Sequence, residues 1–419
     1  VGESATDKAG IYFAIGNQTL TNAIIANTGL GTDRVGTFRI DGTGTVLSGN
    51  LTAGTSDVTF STNGTGSVTA TGKISGATNG VKLLSHTLGG TALTVTLNNA
   101  AQNNDYAGNT TINENPQTGR SYALNLGAPE QIPHGVGKGN VTVNTNGTGV
   151  GTLNLAGFSE TINGLNGTGT VTSAVGTPVL TIGENNAVSN HTGIITGTLS
   201  LVKNGTGALT LGGAAASTYT GTTTLNGGTV TAGKATAFGA SGATSGTTIN
   251  TGTILNTNGQ NFGAERFTLV GGTVKNNGAA LQINTMQRLS VTADSIVGGL
   301  QRWDVRGGGL GGFGLGNHFV CPDKFSGGTF LFGNRHRFGG RLGIGKRLAA
   351  DIGFKPAGRQ QFMEQGAGNI GGGMAFFEQL LDHAVLGLEA ARGQAFPHLV
   401  QHAAGALLFD FVHRRHIPA

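Results

Sequence analysis

Several residue types that mark common protein classes are scarce in this sequence. Cys321 is the one cysteine among 419 residues, which excludes an internal disulfide framework and a zinc site built on cysteines. Charged residues make up 11%, less than half of the roughly 25% usual in soluble domains. No apolar run reaches the ~18 residues that a membrane-spanning helix needs. The chain opens at Val1 without a basic segment followed by an apolar one, so we expect a fragment or a processed form.

Charge and composition divide the chain near residue 300. Residues 1–300 hold 12 basic and 12 acidic side chains, so the formal net charge of +5 lies in residues 301–419. Threonine occurs 56 times in the first part and once, as Thr329, in the second. Because the first part is neutral and has no stripe of Lys and Arg, we expect no nucleic-acid partner.

A short motif recurs through the first part of the chain. Asn-Gly-Thr-Gly, or Asp-Gly-Thr-Gly in one case, begins at Asp41, Asn63, Asn146, Asn166 and Asn204. The intervals of 22, 83, 20 and 38 residues lie close to multiples of about 20. Short segments in which Val, Ile, Leu or Thr alternate follow these turns. Such alternation is typical of strands with one apolar face, and Asn-Gly is typical of turns.

A unit of about 20 residues accommodates three short strands and three turns, and it cannot bury its apolar side chains alone. Stacking such units at the ~4.8 Å spacing of paired strands creates continuous sheets around a narrow aliphatic core. The sequence therefore predicts a mainly β fold, a parallel β-solenoid of about 14 units and roughly 65 Å. Equivalent Asn and Thr residues would form ladders along it. Two alternatives stay open, namely Gly/Thr-rich disorder and an array of β-sandwiches.

A longer repeated unit links the sequence to a known family. Tyr219–Asn226 (Tyr-Thr-Gly-Thr-Thr-Thr-Leu-Asn) matches Tyr106–Asn113 (Tyr-Ala-Gly-Asn-Thr-Thr-Ile-Asn), and Gly246–Asn250 matches its second half. Leu201–Leu211 (Leu-Val-Lys-Asn-Gly-Thr-Gly-Ala-Leu-Thr-Leu), followed by Tyr219–Val230 (Tyr-Thr-Gly-Thr-Thr-Thr-Leu-Asn-Gly-Gly-Thr-Val), resembles the passenger-associated β-strand repeat of autotransporter-type surface proteins.

The resemblance is close over residues 82–256, looser over 30–81 and 257–308, and absent beyond. It implies a secreted, right-handed parallel β-helix that is displayed on a bacterial cell surface or shed from it. It carries no catalytic residue and no cofactor. It also implies an outer-membrane β-barrel, whose strands of ~9–11 alternating residues are missing from 301–419.

The acidic residues of the first part do not suggest a catalytic pair. The closest pairs along the chain are Glu3/Asp7, Asp33/Asp41 and Glu114/Glu130. Adjacent coils could also bring Asp41 and Asp57 together. None has a local His or Arg arrangement typical of a paired-carboxylate site, so we expect solvated or turn-capping side chains.

Histidine and tyrosine positions favour structural roles as well. His86, His134 and His191 stand alone in the sequence, so we expect them to be exposed and not to bind a metal ion. Tyr106 and Tyr219 occupy equivalent positions of the repeated unit, which predicts that both pack in the core. Stacked rows of Thr, Asn and Ser would offer many weak hydrogen bonds, ~0.5–1.5 kcal/mol each, to carbohydrate or to a host or cell-surface protein.

The last part of the chain follows a different pattern. Residues 307–373 are rich in Gly, Arg and Phe, and a Gly-x-Gly-x-x-Gly match at Gly309 lacks the following helix of a dinucleotide site. From Met374 apolar residues recur every three or four positions, which predicts a helix that ends near Gly393 and a second one over His398–His413.

We therefore divide the chain into solenoid repeats (1–306), an irregular segment (307–373) and a helical tail (374–419). Three explanations of the tail stay open: out-of-frame translation, a helical cap on the solenoid end, and a separate small domain. For the solenoid we expect an extracellular or outer-membrane-associated stalk or adhesin-like segment that is not an enzyme. The alternatives are a β-helical polysaccharide-degrading enzyme and a low-complexity extracellular matrix protein.

Overall fold

The computed structural model is described over residues 10–27, 36–84, 92–114, 119–242, 245–278, 284–286, 288–293, 295–299, 303–305, 319–320 and 330–332. All of these residues belong to one compact unit, Val1–Arg335. The predicted helical tail, 374–419, lies outside the described residues, as does most of the predicted irregular segment.

The described residues form 36 short strands and no helix. The first strands are β1 (Ile11–Phe13), β2 (Thr19–Leu20), β3 (Ile24–Ala26), β4 (Phe38–Ile40), β5 (Thr45–Leu47), β6 (Leu51–Ala53), β7 (Val58–Ser61), β8 (Thr65–Ala70), β9 (Ile74–Ser75), β10 (Val81–Leu83), β11 (Ala92–Leu97), β12 (Thr110–Ile112) and β13 (Ser121–Leu126). The next are β14 (Val141–Val143), β15 (Thr145–Asn146), β16 (Gly149–Asn154), β17 (Glu160–Ile162), β18 (Leu165–Gly167), β19 (Thr170–Ser173), β20 (Val179–Ile182), β21 (Ser189–His191), β22 (Ile194–Gly197), β23 (Ser200–Lys203), β24 (Leu209–Leu211), β25 (Thr223–Leu225) and β26 (Gly228–Ala232). The last are β27 (Thr247–Asn250), β28 (Thr253–Asn256), β29 (Arg266–Val270), β30 (Thr273–Asn276), β31 (Asn284–Met286), β32 (Arg288–Val291), β33 (Ser295–Gly299), β34 (Trp303–Val305), β35 (Phe319–Val320) and β36 (Phe330–Phe332).

These strands stack into five sheets. Sheet 1 has fourteen strands, in the order β1-β4-β7-β10-β12-β14-β18-β21-β24-β26-β28-β30-β33-β35. Sheet 2 has the order β2-β5-β8-β11-β13-β16-β19-β22, with β15 attached to β16. Sheet 3 (β3-β6-β9) and sheet 4 (β17-β20-β23-β25-β27-β29-β32) follow sheet 2 in the chain order and form the third face. Sheet 5 is β31-β34-β36.

The chain visits the faces in turn, and neighbouring strands within the sheets are parallel, apart from the β15–β16 hairpin. The predicted parallel β-solenoid is therefore confirmed. The uniform period expected from the motif is wrong, since Ile254 pairs with Thr273, 19 residues on, and Thr110 with Val141, 31 residues on. Coils differ in length because their corners carry loops of different size.

Alternation within the strands builds the core. Successive residues of a strand point to opposite sides of its sheet, so every second residue lies on the same side. In sheet 1 one of these two sets of side chains faces the inside of the coil. One buried column along sheet 1 contains Val58, Val81, Thr110, Val141, Leu165, Ser189, Leu209, Val230, Leu255, Val274 and Val297. Each buried aliphatic side chain contributes on the order of 1.5–3 kcal/mol, so such columns are the main source of stability.

Aromatic rings extend the core near its N-terminal end. The ring of Phe38 lies between those of Phe13 and Phe60, with centroid distances of 6.5 and 5.4 Å. Phe38 and Phe60 are fully buried and occupy paired positions in β4 and β7. Because the paired rings of Phe38 and Phe60 stack in adjacent coils, each fills space that the coil spacing would otherwise leave open.

The two tyrosines of the repeated unit are buried, which confirms the packing role predicted for them. The hydroxyl of Tyr106 lies 2.8 Å from Oγ1 of Thr110, and that of Tyr219 lies 2.5 Å from Oγ1 of Thr223. Thr110 opens a strand of sheet 1, however, whereas Thr223 opens a strand of sheet 4. The same local unit therefore serves at two different faces.

The Asn-Gly-Thr-Gly motif likewise marks turns but not one structural position. Asp41 and Asn63 lie one above the other, and the Asn63 amide donates to Oδ1 of Asp41 (2.7 Å). Asn146 belongs to the β15–β16 hairpin, and Asn166 lies within β18. Asn204 lies at the corner between sheets 4 and 1. Motif spacing is therefore a poor measure of coil length.

Close approach between coils makes glycine necessary at one corner, where a substitution gives a testable result. A Cβ on Gly193 would lie 1.8 Å from the carbonyl oxygen of Gly169, a backbone atom of the preceding coil. We expect Gly193→Ala to lower the free energy of unfolding by about 2 kcal/mol, measured by urea denaturation. Gly64→Ala is the matched control, because its Cβ would lie 3.8 Å from the nearest atom, the Asp41 carbonyl oxygen. Equal losses in both variants would contradict the prediction.

Candidate functional site

Asp41 and Asp57, the acids that adjacent coils could have brought together, lie apart. Asp41 follows β4 and Asp57 precedes β7, so the two carboxylates lie at opposite ends of neighbouring strands. Asp41 accepts hydrogen bonds from Nε of Arg39 (2.9 Å) and from the Asn63 amide (2.7 Å). Asp57 accepts one from the Gly80 amide (2.7 Å). Both carboxylates therefore accept backbone amides of the following coil, 22 and 23 residues on, and do not cap their own turns.

Glu114 and Glu130 are also held at different corners. Glu114 follows β12 of sheet 1, and its carboxylate pairs with Nζ of Lys82 at 2.9 Å. Glu130 lies after β13 of sheet 2, where it accepts the hydroxyl of Thr161 (3.0 Å) and faces Nδ1 of His134 (3.5 Å). The other acidic residues compared in the sequence, Glu3, Asp7 and Asp33, lie outside the described residues.

The expectation of exposed histidines holds for one residue and is wrong for another. His134 is exposed, whereas His86 lies outside the described residues. His191 is buried, because it occupies an inward position of β21 and pairs there with Leu211 of the next coil. Burial lowers the pKa of His191 to about 4. Ser189, Asn190 and His191 are all polar, so the alternation of apolar residues gives no signal for this burial.

Two residues that sequence reasoning missed, Gln131 and Glu160, form a buried polar bridge. The side-chain amide of Gln131 exchanges two hydrogen bonds with the backbone of Asn99: its Oε1 accepts from the Asn99 amide (2.7 Å) and its Nε2 donates to the Asn99 carbonyl (3.1 Å). The carboxyl group of Glu160 accepts from the amides of Gln131 (2.8 Å) and Ile132 (2.9 Å). Burial raises the pKa of Glu160 to about 8, although these two amides act in the opposite direction.

Glu265 is a second buried carboxyl group. Its Oε1 accepts the hydroxyl of Thr247 (2.9 Å), and Thr247 pairs with Thr223 in the neighbouring strand. Thr223 in turn contacts the hydroxyl of Tyr219, so a line of polar groups crosses the interior here. Burial raises the pKa of Glu265 to about 7.

Lys203 takes the place of an apolar residue inside sheet 4. It pairs with Ile182 and Leu225 at an inward position and is fully buried. Its Nζ donates to the carbonyl oxygens of Asn204 and Gly205, the latter at 3.0 Å. Burial lowers the pKa of Lys203 to about 8. The ammonium therefore satisfies the backbone of its own corner and does not face solvent.

Lys234 forms hydrogen bonds to backbone groups at the end of sheet 2. After β22 the next coils pass this face as loops, and side chains complete the hydrogen bonding. Oγ of Ser217 accepts the Ile195 amide at 3.2 Å. Nζ of Lys234 donates to the carbonyl oxygens of Gly193 (2.7 Å) and Ala215 (3.0 Å). Burial lowers the pKa of Lys234 below its usual value.

The outward face of sheet 2 is regular and carries no charged side chain over six consecutive strands. Its outward side chains from β8 to β22 are Thr65, Ser67, Thr69, Ala92, Thr94, Thr96, Ser121, Ala123, Asn125, Val150, Thr152, Asn154, Thr170, Thr172, Ile194 and Thr196. Strand geometry spaces these rows about 4.8 Å apart along the axis and about 6.7 Å along each strand. This face offers hydroxyl, amide and methyl groups to a partner.

Asparagines at one corner form a ladder, which confirms the ladders predicted from the repeats. Nδ2 of Asn204 donates to Glu184 (2.7 Å), Nδ2 of Asn226 donates to Asn204 (2.8 Å), and Nδ2 of Asn250 donates to Asn226 (2.7 Å). Each link joins one coil to the next, so the ladder stabilises the stacking and leaves its amides partly exposed.

No three His, Cys, Asp or Glu side chains within the described residues are close enough together to hold a metal ion. The described part of the chain also contains no helix with the length and hydropathy needed to span a membrane. Comparison of the chain with models of protein families, with curated proteins and with solved structures finds no match.

Proposed function

We propose that the solenoid is a non-catalytic rod at a bacterial cell exterior, acting as a stalk or adhesin-like segment. The observation that carries the proposal is the continuous parallel ladder of sheet 1. Thirteen spacings of ~4.8 Å give a rod of about 60 Å, which is a means of holding something at a distance. The resemblance of Leu201–Leu211 and Tyr219–Val230 to passenger repeats supports an extracellular or outer-membrane-associated location.

The interior polar groups support a structural role in place of a catalytic one. Gln131, Glu160 and Lys234 are committed to backbone groups of neighbouring coils. Lys203 bonds the carbonyls of its own corner. A catalytic acid or base needs to reach a substrate proton, and these side chains are buried against main-chain atoms.

The uncharged face of sheet 2 is the contact surface that we assign to the rod. Individual hydrogen bonds to Thr, Ser and Asn contribute only ~0.5–1.5 kcal/mol net, so attachment requires many of them at once. A regular array of such groups suits an extended carbohydrate or the surface of a host protein.

Two measurements test this function. The purified chain is expected to release no reducing sugar ends from pectin, chitin or β-glucan, and turnover on any of them would establish the polysaccharide-degrading alternative. When protease is added to intact bacterial cells that produce the protein, we expect the chain to be cleaved while a cytoplasmic marker protein stays intact. Cleavage that occurs only after lysis would overturn the proposed location.

A further inference from the structure

The third face of the solenoid is interrupted between sheets 3 and 4. Sheet 3 ends with β9, sheet 4 begins with β17, and the chain passes this face twice in between, as segments 99–109 and 127–140, without a strand. Pro129 and Pro133 lie in the second segment. Because proline has no amide hydrogen, this segment cannot form a regular ladder with a neighbouring strand.

The first segment continues sheet 3 by one further layer. The Ile74 amide of β9 donates to Oδ1 of Asn104 (2.8 Å), and the Asp105 amide donates to the Ile74 carbonyl (2.9 Å). The Ala107 amide adds a bond to the carbonyl of Gly76 (2.8 Å). A side-chain amide therefore supplies one of the acceptors that a paired strand would have supplied from its backbone.

The second layer is joined through the side chain of Gln131. Nε2 of Gln131 donates to the Asn99 carbonyl and Oε1 of Gln131 accepts from the Asn99 amide. The backbone of a neighbouring strand would form the same two bonds. Nδ2 of Asn104 also donates to the Gln131 carbonyl (3.0 Å). Gln131 is fully buried, so these bonds are shielded from competing water.

The last layer is joined through Glu160, the first residue of β17. Its two carboxyl oxygens accept the successive amides of Gln131 and Ile132, and the Glu130 amide donates to the Ser159 carbonyl (3.3 Å). Asn99, Asn104, Gln131 and Glu160 thus form an uninterrupted chain of hydrogen bonds from β9 to β17, which we call the third-face relay.

We propose that the third-face relay couples sheet 3 to sheet 4, so that sheet 3 opens only together with the longer stack. Sheet 3 has three strands of two or three residues, whereas sheet 4 has seven strands. Short strands at the end of a stack open locally at low cost unless further layers hold them in place. The relay provides those layers in the two segments that form no strand, of which the second contains Pro129 and Pro133.

Hydrogen exchange of the full chain, followed by mass spectrometry of its peptides, tests the coupling. In Gln131→Ala the amides of sheet 3, including Leu51–Ala53, are expected to exchange about tenfold faster than in the wild type. Amides of β20 to β29 in sheet 4 are expected to change less than about twofold, since their strand pairing is intact. Equal acceleration of both sheets, or no acceleration of sheet 3, would overturn the proposal.

Asn276→Ala is the matched control. Asn276 is a fully buried side-chain amide that accepts the Gly259 and Gly278 amides (2.8 and 3.2 Å) far from the relay. Its loss is expected to leave exchange in sheet 3 unchanged, and an effect there would count against a specific relay. If Gln131→Ala does not fold, Asn104→Ala removes an outer link of the relay and must give the same asymmetry, or the proposal fails.

Discussion

Truncation of Phe60 to alanine is expected to lower the free energy of unfolding by about 3–5 kcal/mol. Phe60 is fully buried, stacks on Phe38 at 5.4 Å and pairs with Leu83 in the next strand. The strands on both sides are fixed by parallel pairing, so the coils cannot close the cavity that the ring leaves. Guanidinium unfolding followed by circular dichroism measures the loss.

Phe158→Ala is the control for this substitution. Phe158 is only partly buried and packs against the edge of the core, so its truncation removes contacts without creating an enclosed cavity. We expect a loss of about 1 kcal/mol there. If the two variants were destabilised equally, the aromatic stack in the N-terminal coils would not have the role assigned to it.

The second large effect is a loss of stability in acid that depends on His191. Burial, and to a smaller extent the charge of Lys234, lower the pKa of this imidazole from 6.5 to about 4. The folded state therefore favours the neutral ring: its contribution is complete above pH 6.5 and is lost as the pH falls from 6.5 toward 4. The shift corresponds to about 3 kcal/mol of unfolding free energy.

His191→Leu isolates this contribution, because leucine fits an inward position beside Leu211. The stability of the variant relative to the wild type is expected to rise by about 3 kcal/mol between pH 7.5 and pH 4. Glu160 and Glu265 act in the opposite direction, because burial raises their pKa values. Each carboxyl group stabilises the fold below pH 4.5. This contribution is lost as the pH rises toward 8 for Glu160 and toward 7 for Glu265. Both carboxyl groups are present in the two proteins, so their effects cancel in the difference. A difference that does not vary with pH would contradict the assignment.

The strands were predictable from the sequence because their apolar residues alternate. In Leu209–Leu211 the alternation alone separates the two inward leucines from the outward Thr210, and the segment is a strand. Coil length and face were not predictable. An Asn-Gly turn fits any corner, so the motif at Asn146 makes a hairpin while the same motif at Asn204 turns the chain from sheet 4 to sheet 1.

The buried polar groups were missed for a different reason. Prediction from sequence places charged residues on the surface by default, because burying an unpaired charge is costly. Glu160 and Lys203 occupy positions that alternation would have placed inside, beside Leu180 and Ile182 of β20. The amides that Glu160 binds lie 28 and 29 residues away in the preceding coil, and a single sequence does not show that they become neighbours.

Lys234 joins three coils with one side chain. Its ammonium donates to Ala215, 19 residues earlier, and to Gly193, 41 residues earlier. In an ideal repeat protein each unit interacts only with its two neighbours, so the stability is a sum of unit and interface energies. A bond that passes over one coil breaks this additivity. A deletion or duplication of a whole coil here would place Lys234 against the wrong carbonyl, so this stretch cannot gain or lose units as freely as a uniform repeat array can.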